Sequence, residues 1–124
     1  MNTPAELKYT RDHEWVKEED GLFVIGITDF AQDALGSLVF VNLPEEGDEF
    51  EEGDAVCDVE SVKAVSDVLT PVTGKVVGIN EALLDAPELL NEDPYGAWIV
   101  KMEGELSDDL LDAGAYDAFC AEEG

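Results

Sequence analysis

Residues 57–74 read CDVESVKAVSDVLTPVTG, and this stretch decides the fold. Two runs that overlap it, AVCDVES and AVSDVLT, are rich in β-branched residues and alternate in character, which is typical of short strands. Lys63 lies between them, and Pro71 and Gly74 follow the second run. We therefore predict a β-hairpin with a lysine at its tip. Because Val62-Lys63 is not an Asn-Gly pair, we expect a wide or irregular turn.

Lys63 stands out because positive charge is rare in this chain. The 124 residues include 31 Asp and Glu but only 6 Lys and Arg, for a net charge of -25. A lysine that acts as a nucleophile needs burial or a neighbouring cation to lower its pKa. The sequence offers Lys63 neither, since Glu60 and Asp67 are its charged neighbours. We predict an exposed acceptor for an external acylating enzyme.

The acidic composition excludes some partners and suggests a setting. Phosphate-rich ligands are bound by clusters of Lys and Arg, so neither nucleic acid nor an anionic membrane is an expected partner. The acids are scattered, and at roughly 1 M salt the Debye length falls to about 3 Å, which screens their repulsion. We interpret the surface as an adaptation to a salt-rich cytoplasm. The alternatives are a low-salt protein that binds basic partners and an acidic calcium buffer, although no D-x-D-x-D-G loop is present.

Other features point to a cytoplasmic chain with one domain, residues 1–124. Hydrophobic residues make up 45% of the sequence, enough for one core at this length. Cys57 and Cys120 form no C-x-x-C pair, so neither a zinc site nor a disulfide framework is indicated. The start, MNTPAELKYT, lacks the basic and apolar regions of a signal peptide, and no run is long enough to span a membrane.

The first part of the chain predicts a hairpin and a short helix. HEWVKEE and LFVIGIT flank Asp20-Gly21, a dipeptide suited to a tight turn. Thr28 is placed to cap a helix DFAQDAL that ends at Gly36. We expect its apolar side to include Phe30, Ala34 and Leu35.

The remainder predicts more short strands and two helical regions. SLVFVNLP reads as a buried strand, and KVVGIN and AWIVKMEG as later ones. Residues 80–96 suggest brief helical turns broken by Pro87 and Pro94. Ser107 is expected to cap a closing helix that buries a set of apolar residues, Leu111, Ala115, Ala118 and Phe119. Five aromatic residues are expected in or near the core: Trp15, Phe40, Trp98, Tyr116 and Phe119. The fold class is mainly β, a small barrel or sandwich.

Several motifs, in order, resemble one family. ESVKAVSD followed by PVTGKVVGIN is similar to the modified hairpin of lipoyl-carrying domains. YTRDHEWV, GITDFAQDALG and PELLNEDPYG narrow the resemblance to the glycine cleavage system H protein, over roughly residues 7–121. The resemblance implies a barrel-sandwich hybrid with short flanking helices and a C-terminal helix. It also implies a carrier and not an enzyme, with lipoate bound covalently to Lys63 and no catalytic or metal-binding residues.

The resemblance also implies a set of partners. The carrier would take an aminomethyl group from glycine decarboxylase, the P protein, and present it to the aminomethyltransferase, the T protein. Dihydrolipoyl dehydrogenase, the L protein, would then reoxidise the arm. A lipoate ligase or lipoyltransferase would attach the arm, reading the hairpin residues Glu60, Ser61, Val62 and Ala64.

A cationic group on the arm would need shelter from water, and two carboxylates are the candidates. Glu14 lies in the motif HEW beside the only histidine, His13, and Asp67 lies four residues past Lys63. We predict that Glu14, Asp67 and His13 dock the loaded arm. The competing interpretation is that both carboxylates are ordinary acidic surface residues.

Other functional classes remain open at this point. The chain could be a lipoyl scaffold that hands lipoate to 2-oxoacid dehydrogenases, or a biotinyl carrier. Biotin is disfavoured, because biotinyl hairpins resemble this one but carry methionines beside the lysine, where Val62 and Ala64 stand here. A stand-alone enzyme would need a triad, a metal-ligand cluster or a phosphate-binding glycine loop, and none is evident.

Overall fold

The structure, a computed structural model, describes residues 3–123, and strands dominate this part of the chain. In chain order the strands are β1 (Lys8–Tyr9), β2 (Glu14–Glu19), β3 (Leu22–Ile27), β4 (Leu38–Asn42), β5 (Glu49–Phe50), β6 (Ala55–Ser61), β7 (Val65–Leu69), β8 (Val72–Ile79) and β9 (Val100–Leu106). All pair antiparallel, in a six-stranded sheet of order β1-β2-β3-β9-β8-β5 and a three-stranded sheet of order β4-β6-β7.

The helices are short and lie between and after the strands. They are α1 (Asp29–Leu35), α2 (Ala82–Asp85), α3 (Leu89–Glu92) and α4 (Ala113–Glu123). Thr28 caps α1 with its hydroxyl, which accepts a hydrogen bond from the Ala31 N–H, and Gly36 follows the last turn with φ of 80°. Within residues 3–123, no helix has the length and apolarity needed to cross a membrane.

The core has two parts. The larger lies between the two sheets and is built from buried aliphatic residues such as Ile25, Val41, Val59 and Met102. The smaller packs α4 against the start of the chain, around Trp15 and two tyrosines, Tyr9 and Tyr116, whose rings stack with centroids 4.6 Å apart. Sheet and helix are therefore fixed by apolar burial, the main favourable term in folding.

Several predictions from sequence are confirmed. The fold is mainly β with short helices and a C-terminal helix. The first hairpin turns at Asp20 and Gly21, both with positive φ, as an Asp-Gly turn requires. Thr28 and Gly36 bound the first helix, and brief helices flank Pro87.

Other predictions are wrong in detail. Ser107 does not cap the last helix, because α4 begins only at Ala113; the Asp112 carboxylate instead accepts from the Ala115 N–H at 2.8 Å, at the start of α4. The buried face of that helix carries Tyr116 and Cys120, while Ala115 and Ala118 are exposed.

The predicted burial of two apolar residues, Ala34 and Phe40, is wrong. Ala34 is exposed, and Ala31 takes its expected position against the core. Phe40 is 45% exposed, because a register shift between Leu38 and Phe40 interrupts the alternation of β4. The predicted buried strand SLVFVNLP is therefore buried on one side only.

Candidate functional site

The hairpin of β6 and β7 reverses direction at Val62 and Lys63. The Ser61 N–H donates to the Ala64 carbonyl at 2.8 Å, so the turn is not wide. The Ser61 hydroxyl accepts from the N–H groups of Lys63 at 3.1 Å and Ala64 at 3.0 Å. Neither central residue has a positive φ, so the turn is not of the Asn-Gly kind. It is irregular, as expected, and a serine side chain holds it.

The tip of this hairpin rests on the end of α1. The Val62 N–H donates to the Ser37 carbonyl at 3.1 Å. The side chain of Lys63 passes over Gly36, close enough that a Cβ on that glycine would lie 3.3 Å from Lys63 Cε and 3.6 Å from Nζ. The absence of a side chain at Gly36 thus leaves room for the stem of the lysine.

Asn91 of α3 organises the segment on which the tip rests. Its amide nitrogen donates to the Gly36 carbonyl at 2.8 Å and to Gln32 Oε1 at 3.1 Å, and its oxygen accepts from the Leu38 N–H at 2.9 Å. One side chain therefore ties α1, α3 and β4 together beneath the hairpin.

The amine of Lys63 is exposed and makes no ion pair with any residue in 3–123. Within the described residues, four of the five other Lys and Arg residues make an ion pair or a ring contact. Lys17 pairs with Glu19 at 3.1 Å and Lys75 with Glu103 at 3.4 Å, while Lys101 lies over the ring of Trp98. Like Lys8 near the start of the chain, Lys63 can be reached by an outside enzyme without first breaking such a contact, and of the two only Lys63 lies at a hairpin tip.

Glu14 is in the opposite situation. It is 2% exposed, and its oxygens accept from the Thr10 hydroxyl at 2.6 Å and, more weakly, from the Leu69 N–H at 3.4 Å. Burial is the main cause that raises the pKa of this carboxyl to about 8, with the negative charge of Asp12 adding to it; the two hydrogen bonds act in the opposite direction. At neutral pH the isolated protein therefore holds Glu14 mainly protonated.

Glu14 lies at the bottom of a cleft of about 260 Å³. The cleft lies between the Thr10 loop, the end of β7 and the segment after β9, and its lining includes Thr10, Glu52, Leu69, Thr70, Ser107 and Leu110. Because the end of β7 forms one wall, the strand that leaves Lys63 leads directly to this opening.

The two other predicted docking residues lie outside this cleft. Asp67 is exposed on β7, where it is paired across the strand with Asp58. The ring of His13 stacks on Phe30 at 4.4 Å, and its Nδ1 is 2.8 Å from the Tyr116 hydroxyl. The backbone of His13 has a φ of 69°, so this residue shapes the loop that places Glu14.

Comparison with known proteins identifies what this arrangement is. A family described as glycine cleavage H-protein matches residues 7–123. The chain belongs to this family. The glycine cleavage system H protein of Listeria monocytogenes serotype 4a (strain HCC23) is 60% identical over 104 residues, 83% of each chain, and that of Burkholderia cenocepacia (strain J2315) is 55% identical over 119 residues, 93% of this chain and 94% of the other.

The fold agrees with the family. A crystal structure of a glycine cleavage system H protein from Mycobacterium marinum matches with a TM-score of 0.86 at 38% identity, covering 98% of both chains. The predicted fold class is confirmed. The chain is thus the lipoyl carrier of the glycine cleavage system, which works with the P, T and L proteins, and is not itself an enzyme. The alternatives of a scaffold for other dehydrogenases and a biotinyl carrier are not favoured.

Sequence reasoning did not find three residues that the geometry brings to the site. Thr10, Gly36 and Asn91 all lie inside or beside the motifs YTRDHEWV, GITDFAQDALG and PELLNEDPYG. Asn91 contacts residues 53 or more positions away, for example Leu38, and Gly36 lies close to Lys63 of the hairpin of β6 and β7. The motifs indicated that these segments matter, but only the fold shows which side chains meet.

Proposed function

We propose that Lys63 is the residue that carries the lipoyl group, through an amide on Nζ. One observation supports this above all: Lys63 offers an exposed amine with no ion pair in residues 3–123, at the tip of a hairpin. The fit is good, because the stem of the lysine has room over Gly36 and an attached arm would project into solvent. When bound, the group supplies a dithiolane that takes up and releases the aminomethyl group.

A lipoate ligase or lipoyltransferase would attach the arm. The amine of Lys63 must first lose a proton to solvent, and its lone pair then attacks the carbonyl carbon of an activated acyl donor. An N–C bond forms, the acyl bond to the leaving group breaks with its electron pair, and the nitrogen gives a second proton to the leaving group or to solvent, which yields the neutral amide. Glu60, Ser61, Val62 and Ala64 are the hairpin residues we assign to recognition by that enzyme, because Ser61 fixes the turn and the others flank Lys63.

Once attached, the arm can lie along β7. Lysine and lipoate together make about a dozen bonds, which reach ~14 Å when extended. Val65, Asp67 and Leu69 alternate onto one face of the strand, at a rise of about 3.3 Å per residue. An extended arm would therefore come level with Asp67, roughly 13 Å from Lys63 along the strand. A carried group would lengthen it in the direction of Leu69, whose N–H contacts the Glu14 carboxyl.

We assign the docking of the loaded arm to Glu14 and Asp67, with His13 as a positioning residue. Asp67 presents an exposed carboxylate beside the path of the arm, and Glu14 a buried carboxyl in the cleft at its end. His13 acts through the loop, since its ring is held by Phe30 and Tyr116. A cation that reaches Glu14 would lower the pKa of that carboxyl and release its proton, so docking should strengthen as the pH rises towards 8.

Mass spectrometry tests the attachment. Intact-mass and peptide analysis of the protein from its native cells should find one lipoyl adduct, on the peptide that contains Lys63. Lys63→Arg should abolish the adduct, whereas the matched change Lys75→Arg, at an exposed strand lysine, should leave it intact. A biotinyl adduct, or a lipoyl adduct that survives Lys63→Arg, would overturn the proposal.

The docking assignment has its own test. Glu14→Gln combined with Asp67→Asn should shorten the lifetime of the aminomethyl group on the isolated lipoylated carrier, while Glu49→Gln and Asp48→Asn, on the other sheet edge, should not. Release of formaldehyde and ammonia measures that lifetime. Equal lifetimes in the two double variants would refute the role of both carboxylates.

We also propose that residues 1–124 form a single lipoyl-carrier domain in the salt-rich cytoplasm of a prokaryote. The support is the charge of -25, which dilute solution would leave poorly screened. Thermal melts followed by circular dichroism in dilute buffer and in molar KCl test the setting. A clearly higher Tm in KCl is expected, and equal stability in both would end the idea.

A further inference from the structure

The exposed apolar residues of this chain are not scattered. Within residues 3–123, five large hydrophobic side chains are exposed, and four of them lie in strand β4 or in the hairpin that carries Lys63. These are Val39 at 53%, Phe40 at 45%, Val62 at 70% and Val65 at 63% exposure. The fifth, Leu84 at 50%, lies on α2. In so acidic a chain, this concentration around one lysine marks an interaction site.

A β-bulge turns two of these residues outward. In β4, Leu38 and Val41 are buried, whereas Val39 and Phe40 between them both face solvent. The pairing with β6 shifts register between Leu38 and Phe40, which inserts one extra residue and aims both side chains to the same side. A regular strand would have alternated them, so the backbone irregularity is what exposes Phe40.

Cross-strand pairing joins these residues to the hairpin. Phe40 pairs with Glu60, and Glu60 pairs with Val65, so the three lie in one row across the small sheet. The next row on the same face of the sheet consists of Asn42, Asp58 and Asp67. We call the surface formed by Val39, Phe40, Glu60, Val62 and Val65 the tip face. It is apolar beside Lys63 and acidic behind it.

We infer that the tip face is the surface on which the enzyme that acylates Lys63 binds, an inference that rests on the proposed function of Lys63. The argument is one of reach. The lysine side chain alone spans roughly 6 Å from Cα to Nζ, whereas the finished arm spans ~14 Å. An enzyme that works at the end of the arm can stay away from the sheet. The acylating enzyme must bring its active site to Nζ and so covers the neighbouring side chains.

The side chains of the tip face indicate what chemistry its partner must offer. Burial of Phe40, Val62 and Val65 requires an apolar recess around the mouth of the acyl pocket, and basic groups should stand opposite Glu60 and the Asp58 row. A second copy of this chain is a poor occupant, because it would bring the same carboxylates and a net charge of -25 against each other. The inference extends recognition beyond the hairpin to strand β4.

Acylation kinetics test the inference. Purified full-length carrier without lipoate is incubated with a lipoate–protein ligase, lipoate and ATP, and product is counted by intact mass. Phe40→Ser should raise the KM for the carrier about tenfold or more with kcat nearly unchanged, since a central aromatic anchor is lost. Val65→Thr, nearly equal in shape, should raise it less. Leu84→Ser removes an equally exposed apolar side chain elsewhere and should have no effect.

Each contrary result has a distinct meaning. Equal KM values for Phe40→Ser and Leu84→Ser, with Tm values within a few degrees of wild type, would overturn the inference. So would an equal rise in KM for the aminomethyltransferase acting on already lipoylated Phe40→Ser, or a wild-type dimer in sedimentation that this substitution dissolves. If wild-type carrier accepts no lipoate at Lys63, the proposed function itself fails, and the inference falls with it.

Discussion

Lys63 and Glu14 show two opposite treatments of charge in one small protein. Lys63 is exposed on an irregular turn, with no ion pair in the described residues. Glu14 is 2% exposed, closed in by Thr10 and Leu69. In a chain with 31 acids and 6 bases, one of the few cations is exposed without an ion pair to any residue in 3–123, and one of the many acids is buried.

The contrast follows from what a carrier must do. In the function proposed for Lys63, the attachment point has to enter the active site of another protein, so its amine lies outside the fold. In the docking proposed for Glu14, the resting place of a loaded arm has to exclude water, so the carboxyl lies inside and its pKa is raised. One strand, β7, links the two regions, because it starts next to Lys63 and ends at Leu69 above Glu14.

Replacing the buried carboxyl of Glu14 should have the largest effect on stability. The pKa of Glu14 is about 8 in the folded protein against a usual 4.5, so the folded state holds a proton that the unfolded state has lost between these values. Stability therefore falls as pH rises through this window and levels off above it. Glutamine does not titrate, so the stability of Glu14→Gln should not fall in this window. Its free energy of unfolding should rise relative to that of wild type by on the order of 4 kcal/mol from pH 4.5 to pH 9.

Urea unfolding followed by tryptophan fluorescence, at constant ionic strength, measures that difference. Glu52→Gln is the matched control, because Glu52 lines the same cleft but is exposed. Its curve should run parallel to that of wild type. If the Glu14→Gln curve is parallel as well, Glu14 is ionised in the folded protein, and burial does not raise its pKa.

The second-largest effect on stability is expected from Asn91, which holds the segment beneath the tip of the Lys63 hairpin. Asn91→Ala leaves the Leu38 N–H and the Gly36 carbonyl without their partner, and a cost of about 2–3 kcal/mol is expected. Lipoylation of Lys63 should slow as the Ser37 carbonyl shifts away from the turn. Asn91→Asp keeps the acceptor for the Leu38 N–H but sets a carboxylate oxygen against the Gly36 carbonyl, so it should cost at least as much as Asn91→Ala. Asn42→Ala removes only an exposed bond of 3.4 Å and should cost less than about 0.5 kcal/mol.

Equilibrium unfolding and lipoylation rates, measured on the same samples, check this. Asn91→Ala as stable as Asn42→Ala would show that the junction does not hold the tip. A loss of stability with unchanged lipoylation would show that the turn keeps its geometry without it.

The smallest effect should come from Gly36. Its φ of 80° and ψ of -158° form a conformation open almost only to glycine, so Gly36→Ala should cost about 1–2 kcal/mol. Gly53→Ala meets a similar φ of 93°, but nothing lies within 4 Å of its new Cβ. The two substitutions share the backbone cost, and only the first touches Lys63. Slower lipoylation of Gly36→Ala than of Gly53→Ala would show that crowding of Lys63 by the new side chain matters. Equal rates would show that it does not.

Local signals in the sequence were enough for much of the fold. Asp20-Gly21 specifies its turn through backbone conformation, and Thr28 and Gly36 bound α1 through caps that depend on residues close in the chain. The lysine at a hairpin tip followed from the two short strands around it. Each of these features is decided within a few positions, so a reader of the sequence has all the relevant information.

The errors arose where distant segments decide the outcome. Ser107 has the chemistry of a cap, but its N–H bonds to the Pro71 carbonyl and extends the sheet instead. Phe40 reads as a core residue, and the bulge against β6 turns it outward. Burial of Glu14 depends on β7 and on the loop after β9, more than fifty positions away. Such long-range contacts leave no local pattern.

The Tyr116 hydroxyl lies 2.6 Å from the hydroxyl of Thr28, the cap of α1, although 88 positions separate the two residues. During synthesis on the ribosome, α4 therefore emerges after every element that it braces. The helix whose end receives the Lys63 turn lacks this brace until translation has passed Tyr116. The segment on which the Lys63 turn rests therefore gains this support only late in synthesis.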